Sequence, residues 1–269
     1  MRALIKVGFS LLLLAFVLIG LSYSMLRAKG SSGANNPEGR VVSTETRGIG
    51  KNITTIDLSG PIDLTLRQGA ASSLSVRGEQ RLLGNVETVQ DGATLHIATK
   101  GMLLYHRHPL QAVLVLPSVE KISIHGSGDS TINGFSGERI ELQLHGSGDV
   151  KFSGRFKHVS ARLNGSGDME INVGNSDSVE VALAGSGEMV VVGATRQLKA
   201  EQSGSGDLTA RHLAAGQAAL VQHGSGSARI QATRSASVTL YGSGDAVVHG
   251  NPAERNVTRN GSGEVKFRE

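Results

Sequence analysis

The residues best suited to chemistry are carboxylates that return at one position of a repeated tetrapeptide. Gly126-Ser127-Gly128-Asp129 recurs from Gly146, Gly165, Gly185, Gly204, Gly224, Gly242 and Gly261, at intervals of 18 to 20 residues. Its fourth residue is Asp129, Asp149, Asp168, Glu188, Asp207, Asp245 or Glu264, and once Ser227. Stacked acids of this kind are one way to hold Ca²⁺, which takes several oxygen ligands from flexible loops. The Gly-Ser-Gly-Asp string partly matches the calcium-binding nonapeptide, but the period is about 19 residues, the leading Gly pair is missing and Ser227 breaks the series. The plainer role is structural: glycine supplies positive φ at a turn and the acid side chain bonds nearby amides. These seven acids are therefore expected to be repeat corners. No catalytic, cofactor-binding or metal residue is assigned, and calcium stands as the cofactor alternative.

Other polar residues keep the same beat. His125, His145 and His223 each precede a corner, and the first two fall in adjacent repeats, each four residues from a carboxylate. Such a pair is a start towards a Zn²⁺ site. Against it, the same position elsewhere holds Asn164, Ala184, Ser203, Tyr241 and Asn260, the mixture of an exposed polar row. Two positions before the corner, Leu144, Leu163, Leu183 and Leu240 give way to Gln202, Gln222 and Arg259. Gln202 and Gln222 either form a short amide ladder inside the molecule or turn outward together. The stretch 103–110, Leu-Leu-Tyr-His-Arg-His-Pro-Leu, departs most from the repeat and reads as an exposed excursion ended by Pro109, with a binding loop as the alternative. An enzyme needs unlike groups converging in one pocket. Here the acids recur identically, and no Gly-x-Ser-x-Gly nucleophile turn is present.

The elements that position these residues follow from the spacing of apolar side chains, which is two. Val150-Lys151-Phe152 and Met169-Glu170-Ile171 follow corners, and Ile140 to Leu144, Val159 to Leu163 and Val179 to Leu183 precede them. Alternation argues half-buried strands, and a fixed period of this length argues a solenoid whose repeats bury their apolar faces only against neighbours. About 19 residues at roughly 3.3 Å each give a perimeter near 60 Å, room for two or three strands and no crossover helix. The expected fold is all-β, a parallel β-helix (β-solenoid) with coils of about 19 residues, preceded by an N-terminal apolar leader helix.

Residues 1–26 read as a signal peptide or signal anchor. Arg2 and Lys6 precede an apolar run from Val7 to Leu21, Ser22-Tyr23-Ser24 suits cleavage after Ser24, and Val7 to Leu26 is long enough to span a bilayer if left uncleaved. Residues 27–40 read as a flexible linker, residues 41–120 as irregular N-terminal coils, and residues 121–269 as regular coils of the same solenoid. The chain of 269 residues carries a formal charge of +4. That falls to +2 without the leader, too near balance for a nucleic-acid footprint, and the chain has no Trp and three Tyr for a stacking platform. The absence of Cys excludes disulfides and thiolate metal sites. No translocator barrel or sorting segment follows Phe267, so self-export is not expected. The last coil leaves a strand edge that Lys266, Arg268 and Glu269 would blunt.

Taken together, Ile56-Asp57-Leu58-Ser59-Gly60, Asp63-Leu64, Asp91-Gly92-Ala93-Thr94-Leu95, Leu116-Pro117-Ser118-Val119 and the Gly-Ser-Gly-Asp ladder resemble the head GIN domain family of autotransporter-adhesin-like proteins, over roughly residues 45–267. The resemblance implies a right-handed parallel β-helix in a bacterial envelope protein and brings no catalytic residues. The expected function is a non-enzymatic, exported, adhesin-like scaffold, in the periplasm, outer membrane or cell surface, or anchored in the inner membrane facing the periplasm. Its partner would be an envelope polymer, a cell surface or a protein, not nucleic acid, with membrane contact only through an uncleaved leader. The alternatives are a polysaccharide-active β-helix enzyme and a calcium-stiffened scaffold.

Overall fold

A computed structural model describes residues 41–101 and 108–269. The leader, the linker and residues 102–107 of the excursion lie outside the described residues. Among the described residues, eighteen strands join one continuous sheet that winds into a β-solenoid of about seven coils.

The regular coils are single long strands: β9 (Ser130–Gly146), β10 (Val150–Gly165), β11 (Met169–Gly185), β12 (Glu188–Gly204) and β13 (Asp207–Gly224). Each lies parallel on the next, with Gly146, Gly165, Gly185, Gly204 and Gly224 in register. Later coils divide at the bend into β14 (Ala228–Gln231) and β15 (Ser235–Gly242), β16 (Ala246–His249) and β17 (Glu254–Gly261), and finally β18 (Val265–Arg268). Because alternate side chains face opposite sides of a strand, Ile140, Leu142 and Leu144 fill the interior while Glu141 and Gln143 stay outside. The interior changes along the axis. Ile, Leu and Phe fill the N-terminal coils, with Phe135 and Phe156 buried at the bend, whereas Ala200, Ala210, Ala218, Ala228, Ala236 and Ala246 line the C-terminal ones.

Residues 41–120 combine irregular coils with antiparallel strands: the strands Thr94–Thr99 and Leu110–Leu116 stack parallel on Thr55–Ser59 and Ile62–Gln68. β2 (Thr55–Ser59) and β3 (Ile62–Gln68) do form a coil, stacking parallel under β8 (Lys121–Gly126) and β9. Around it, however, β1 (Val42–Arg47) runs antiparallel to β4 (Ser73–Glu79), and β4 antiparallel to β7 (Leu110–Leu116). β5 (Val86–Asp91) and β6 (Thr94–Thr99) make an antiparallel hairpin at Gly92, whose φ is 56°. A single helical turn, α1 (Gln80–Leu83), buries Leu82 and Leu83. Antiparallel strands close this end because their turns cover an edge that a parallel coil would leave open.

Candidate functional site

The corners explain both glycines of the repeat. Gly126, Gly146, Gly165 and their successors have φ between 110° and 156°. A Cβ on Gly146 would lie 2.0 Å from the carbonyl oxygen of Gly126, and one on Gly148 would lie 2.2 Å from that of Gly128. Successive coils thus touch backbone to backbone at the corner, where no side chain fits.

The acids tie one coil to the next. Oδ1 of Asp129 accepts the backbone N–H of Asp149 at 3.1 Å, Asp149 that of Asp168 at 3.1 Å, and Asp168 that of Glu188 at 2.9 Å. Asp245 accepts from Glu264 at 2.9 Å, and Asp207 from both the N–H and the Oγ of Ser227. Each of these five aspartates therefore caps the amide of the following coil instead of its own turn, which offsets the repulsion of stacked like charges. The series breaks after Glu188, one methylene longer, where the Asp207 amide bonds the Gly187 carbonyl instead. Asp63 belongs to the same column, since its Oδ1 accepts the Asp129 amide at 3.1 Å. The sequence reads as a degenerate corner here, but Asp63 is not counted among the corner acids because Pro61 and Ile62 replace Ser-Gly; its offset of three from Gly60 was the available signal.

The histidine row lies outside the solenoid. His125 and His145 stack face to face, centroids 4.9 Å apart and planes 5° from parallel, and His223 stacks on Tyr241 at 4.6 Å. The Asn164 amide lies 3.3 Å from His145 Nδ1. Among the described residues no group of three or more His, Asp or Glu is placed to hold a metal. Gln202 and Gln222 point inward, each 1% exposed and in register with one another. They do not form an amide ladder: each Nε2 donates to the carbonyl of its own corner, Gly206 or Gly226, and each Oε1 is buried without a partner. Of the excursion, His108 is exposed and Leu110 opens β7.

One other triplet has catalytic residue types. His96, Asp57 and Ser123 sit side by side on β6, β2 and β8, with His96 Nδ1 3.2 Å from Asp57 Oδ2. The carboxylate lies in the middle, so imidazole and hydroxyl are two strands apart, about 9.6 Å. A hydroxyl nucleophile needs the imidazole beside it.

One of the concave features is a groove parallel to the axis. One wall is the row Arg139, His158, Ser178, Gln197, Gln217 and Ser235; the other is Glu141, Ser160, Glu180, Lys199, Ala219 and Ser237, each row taking one residue per coil. Two depressions of about 650 and 390 Å³ meet at Ser178 and Glu180. Bonds along the walls stiffen them: His158 to Ser178 at 2.8 Å, Gln197 to Gln217 at 3.2 Å, and Lys199 to Glu180 at 3.1 Å. The hydrogen bonds that Lys199 donates to Glu180 and then to Glu201 hold its amine above its ordinary range. Ser160 and Ser237 add hydroxyls to the lining. Sequence reasoning missed this groove, because it depends on where each coil bends.

These features define a parallel β-solenoid with capped corners and a repetitive polar surface. The chain belongs to the family described as "Putative auto-transporter adhesin, head GIN domain", which matches residues 52–175 and 158–252. Its fold resembles a crystal structure described as a putative adhesin from Parabacteroides distasonis, 20% identical with a TM-score of 0.78, over 85% of this chain and 98% of that one. It also resembles one described as a putative lipid binding protein from the same species, 24% identical with a TM-score of 0.76, over 84% and 96%. A putative adhesin from Parabacteroides merdae is 19% identical with a TM-score of 0.76, over 83% and 95%. No curated protein matches the chain. Among the described residues, no helix is long and apolar enough to cross a membrane.

Proposed function

We propose that this chain is an exported, non-enzymatic envelope protein whose rigid solenoid presents an extended surface to a partner, in an adhesin-like role. The observation that carries this reading is the axial groove, in which polar side chains repeat once per coil. A surface that repeats at the coil spacing, about 4.8 Å, suits a long partner better than a small substrate. Membership of an adhesin-like family supports the same reading. The reading does not rely on the corner carboxylates: Oδ1 of Asp129 and of Asp149 each accepts a backbone amide of the next coil.

The test uses the full chain with an epitope tag. Surface labelling of intact cells, together with pull-down of purified envelope polymers, should show an exported protein that retains a polymer and loses it when Gln197 and Gln217 are both replaced by Arg. A chain that stays in the cytoplasm, or whose deletion leaves adhesion and envelope integrity unchanged while no polymer is retained, contradicts the proposal.

A further inference from the structure

A second surface, on the opposite side of the corners from the groove, has a different chemistry. Along the outer face of the strands that follow the corners, Gln231, His249 and Arg268 stack in one row. Ala210 pairs with Ile230, so the next residue, Arg211, extends that row by one coil. Two residues nearer the corner, Arg229, Val247 and Lys266 form the adjacent row. At about 4.8 Å per coil and roughly 6.6 Å between rows, the basic groups occupy a strip about 14 Å long and one row-spacing wide.

Only one of these cations is ion-paired. Among the described residues, Lys266 pairs with Glu264 at 2.9 Å, whereas Arg211, Arg229 and Arg268 have no carboxylate within ion-pair distance. Arg211 Nε donates instead to His212 at 2.9 Å, and Arg229 reaches the Ser227 hydroxyl at 3.4 Å. Ser227 is the one corner residue that is not acidic, and it stands where a carboxylate would pair Arg229 as Glu264 pairs Lys266. The repeat loses its acid beside the strip. Burial, followed by the charges of Arg268, Arg211, Arg229 and His212, also pushes the His249 imidazole below its ordinary value, so these groups do share one field.

We propose that Arg211, Arg229, His249 and Arg268 form a binding strip for a linear phosphate-bearing polymer lying along the solenoid axis. The planar guanidinium matches phosphate oxygens in pairs. A strip of this length exceeds one phosphate and suits several in series. Asp207, Asp245 and Glu264 line its corner side, all exposed. A flat anionic membrane would abut those carboxylates, whereas a single chain fits beside them. The strip and the groove are separate, so this inference and the adhesin reading fail independently.

The experiment is titration of the full chain with linear polyphosphate, inorganic phosphate and phosphatidylglycerol vesicles at low salt, following the His249 ring signals by NMR. Polyphosphate should bind more than about tenfold tighter than inorganic phosphate through multivalency, move the His249 signals, raise its pKa and weaken with salt. Replacing Arg229 and Arg268 by Gln should weaken it by about tenfold or more. Ser227→Asp, which restores the repeat residue and so keeps the fold, should weaken it severalfold. His249 signals unmoved by polyphosphate, variants that bind like the parent, or vesicles binding in preference to polyphosphate would each overturn the proposal.

Discussion

Asp149 Oδ1 accepts the backbone N–H of Asp168, one coil further along, at 3.1 Å. The bond satisfies an amide at a corner where the chain bends away from its parallel ladder. It also places an anion against a donor, so the stacked acids are each stabilised by the neighbour that would otherwise repel them. Asparagine could accept the same bond, but without the charge that strengthens it.

Close approach of the corners makes the first glycine intolerant of a side chain. Gly146→Ala puts a Cβ 2.0 Å from the Gly126 carbonyl oxygen, at a φ of 145°. We expect a loss of at least about 2 kcal/mol in urea denaturation. Ser147→Ala, one residue on and exposed, should stay within about 0.5 kcal/mol.

The buried amides of Gln202 and Gln222 should be replaceable. Each leaves an Oε1 without a partner, in a column that elsewhere holds Leu183 and Leu240. Replacing both by Leu removes two desolvated acceptors together, and the variant should be as stable as the parent or about 1 kcal/mol more so. A loss of several kcal/mol would mean that the bonds to Gly206 and Gly226 matter more than the orphaned oxygens.

Stability should carry the signature of His249. Its folded-state pKa is depressed by burial first and then by the cations around it. Between that depressed value and the ordinary one of about 6.5, the unfolded chain binds the proton more readily, so stability falls as pH drops through this window and levels off below it. Subtracting the pH–stability curve of His249→Gln from that of the parent should isolate the drop.

The C-terminal face carries charge where the interior should be. Ala236, Val238 and Leu240 are followed in register by Arg255, Val257 and Arg259, and every residue of β17 is exposed. Arg255 lies 4.6 Å over the Phe267 ring and is held by the Pro252 carbonyl and Asn251. Inward-pointing charge on an open edge discourages further pairing. Arg255→Ala with Arg259→Leu should therefore associate end to end, read as a concentration-dependent rise in mass by sedimentation, while the parent does not.

Much of the fold was legible because each corner needs two glycines and each flanking strand alternates, and both marks recur at one period. Pairing direction was legible only in part: parallel and antiparallel strands share the period of two, so although Asp91-Gly92 reads as a turn, the hairpin of Val86–Asp91 with Thr94–Thr99 reads as part of the irregular coils. The α1 turn is too short to show helical spacing. The corner acids could be placed but not given a partner, since own-turn and next-coil capping need the same residue. The row through Arg211, His249 and Arg268 was present at the coil spacing, and reading the repeat column by column would have exposed it.

The direct test of the corner account is thermal unfolding of the parent and Asp149→Ala, each in calcium and in chelator. A structural cap predicts that the parent melts at the same temperature in both, and that the variant is less stable by about 1 kcal/mol in both. A parent stabilised by calcium, with that gain abolished in Asp149→Ala, would contradict it.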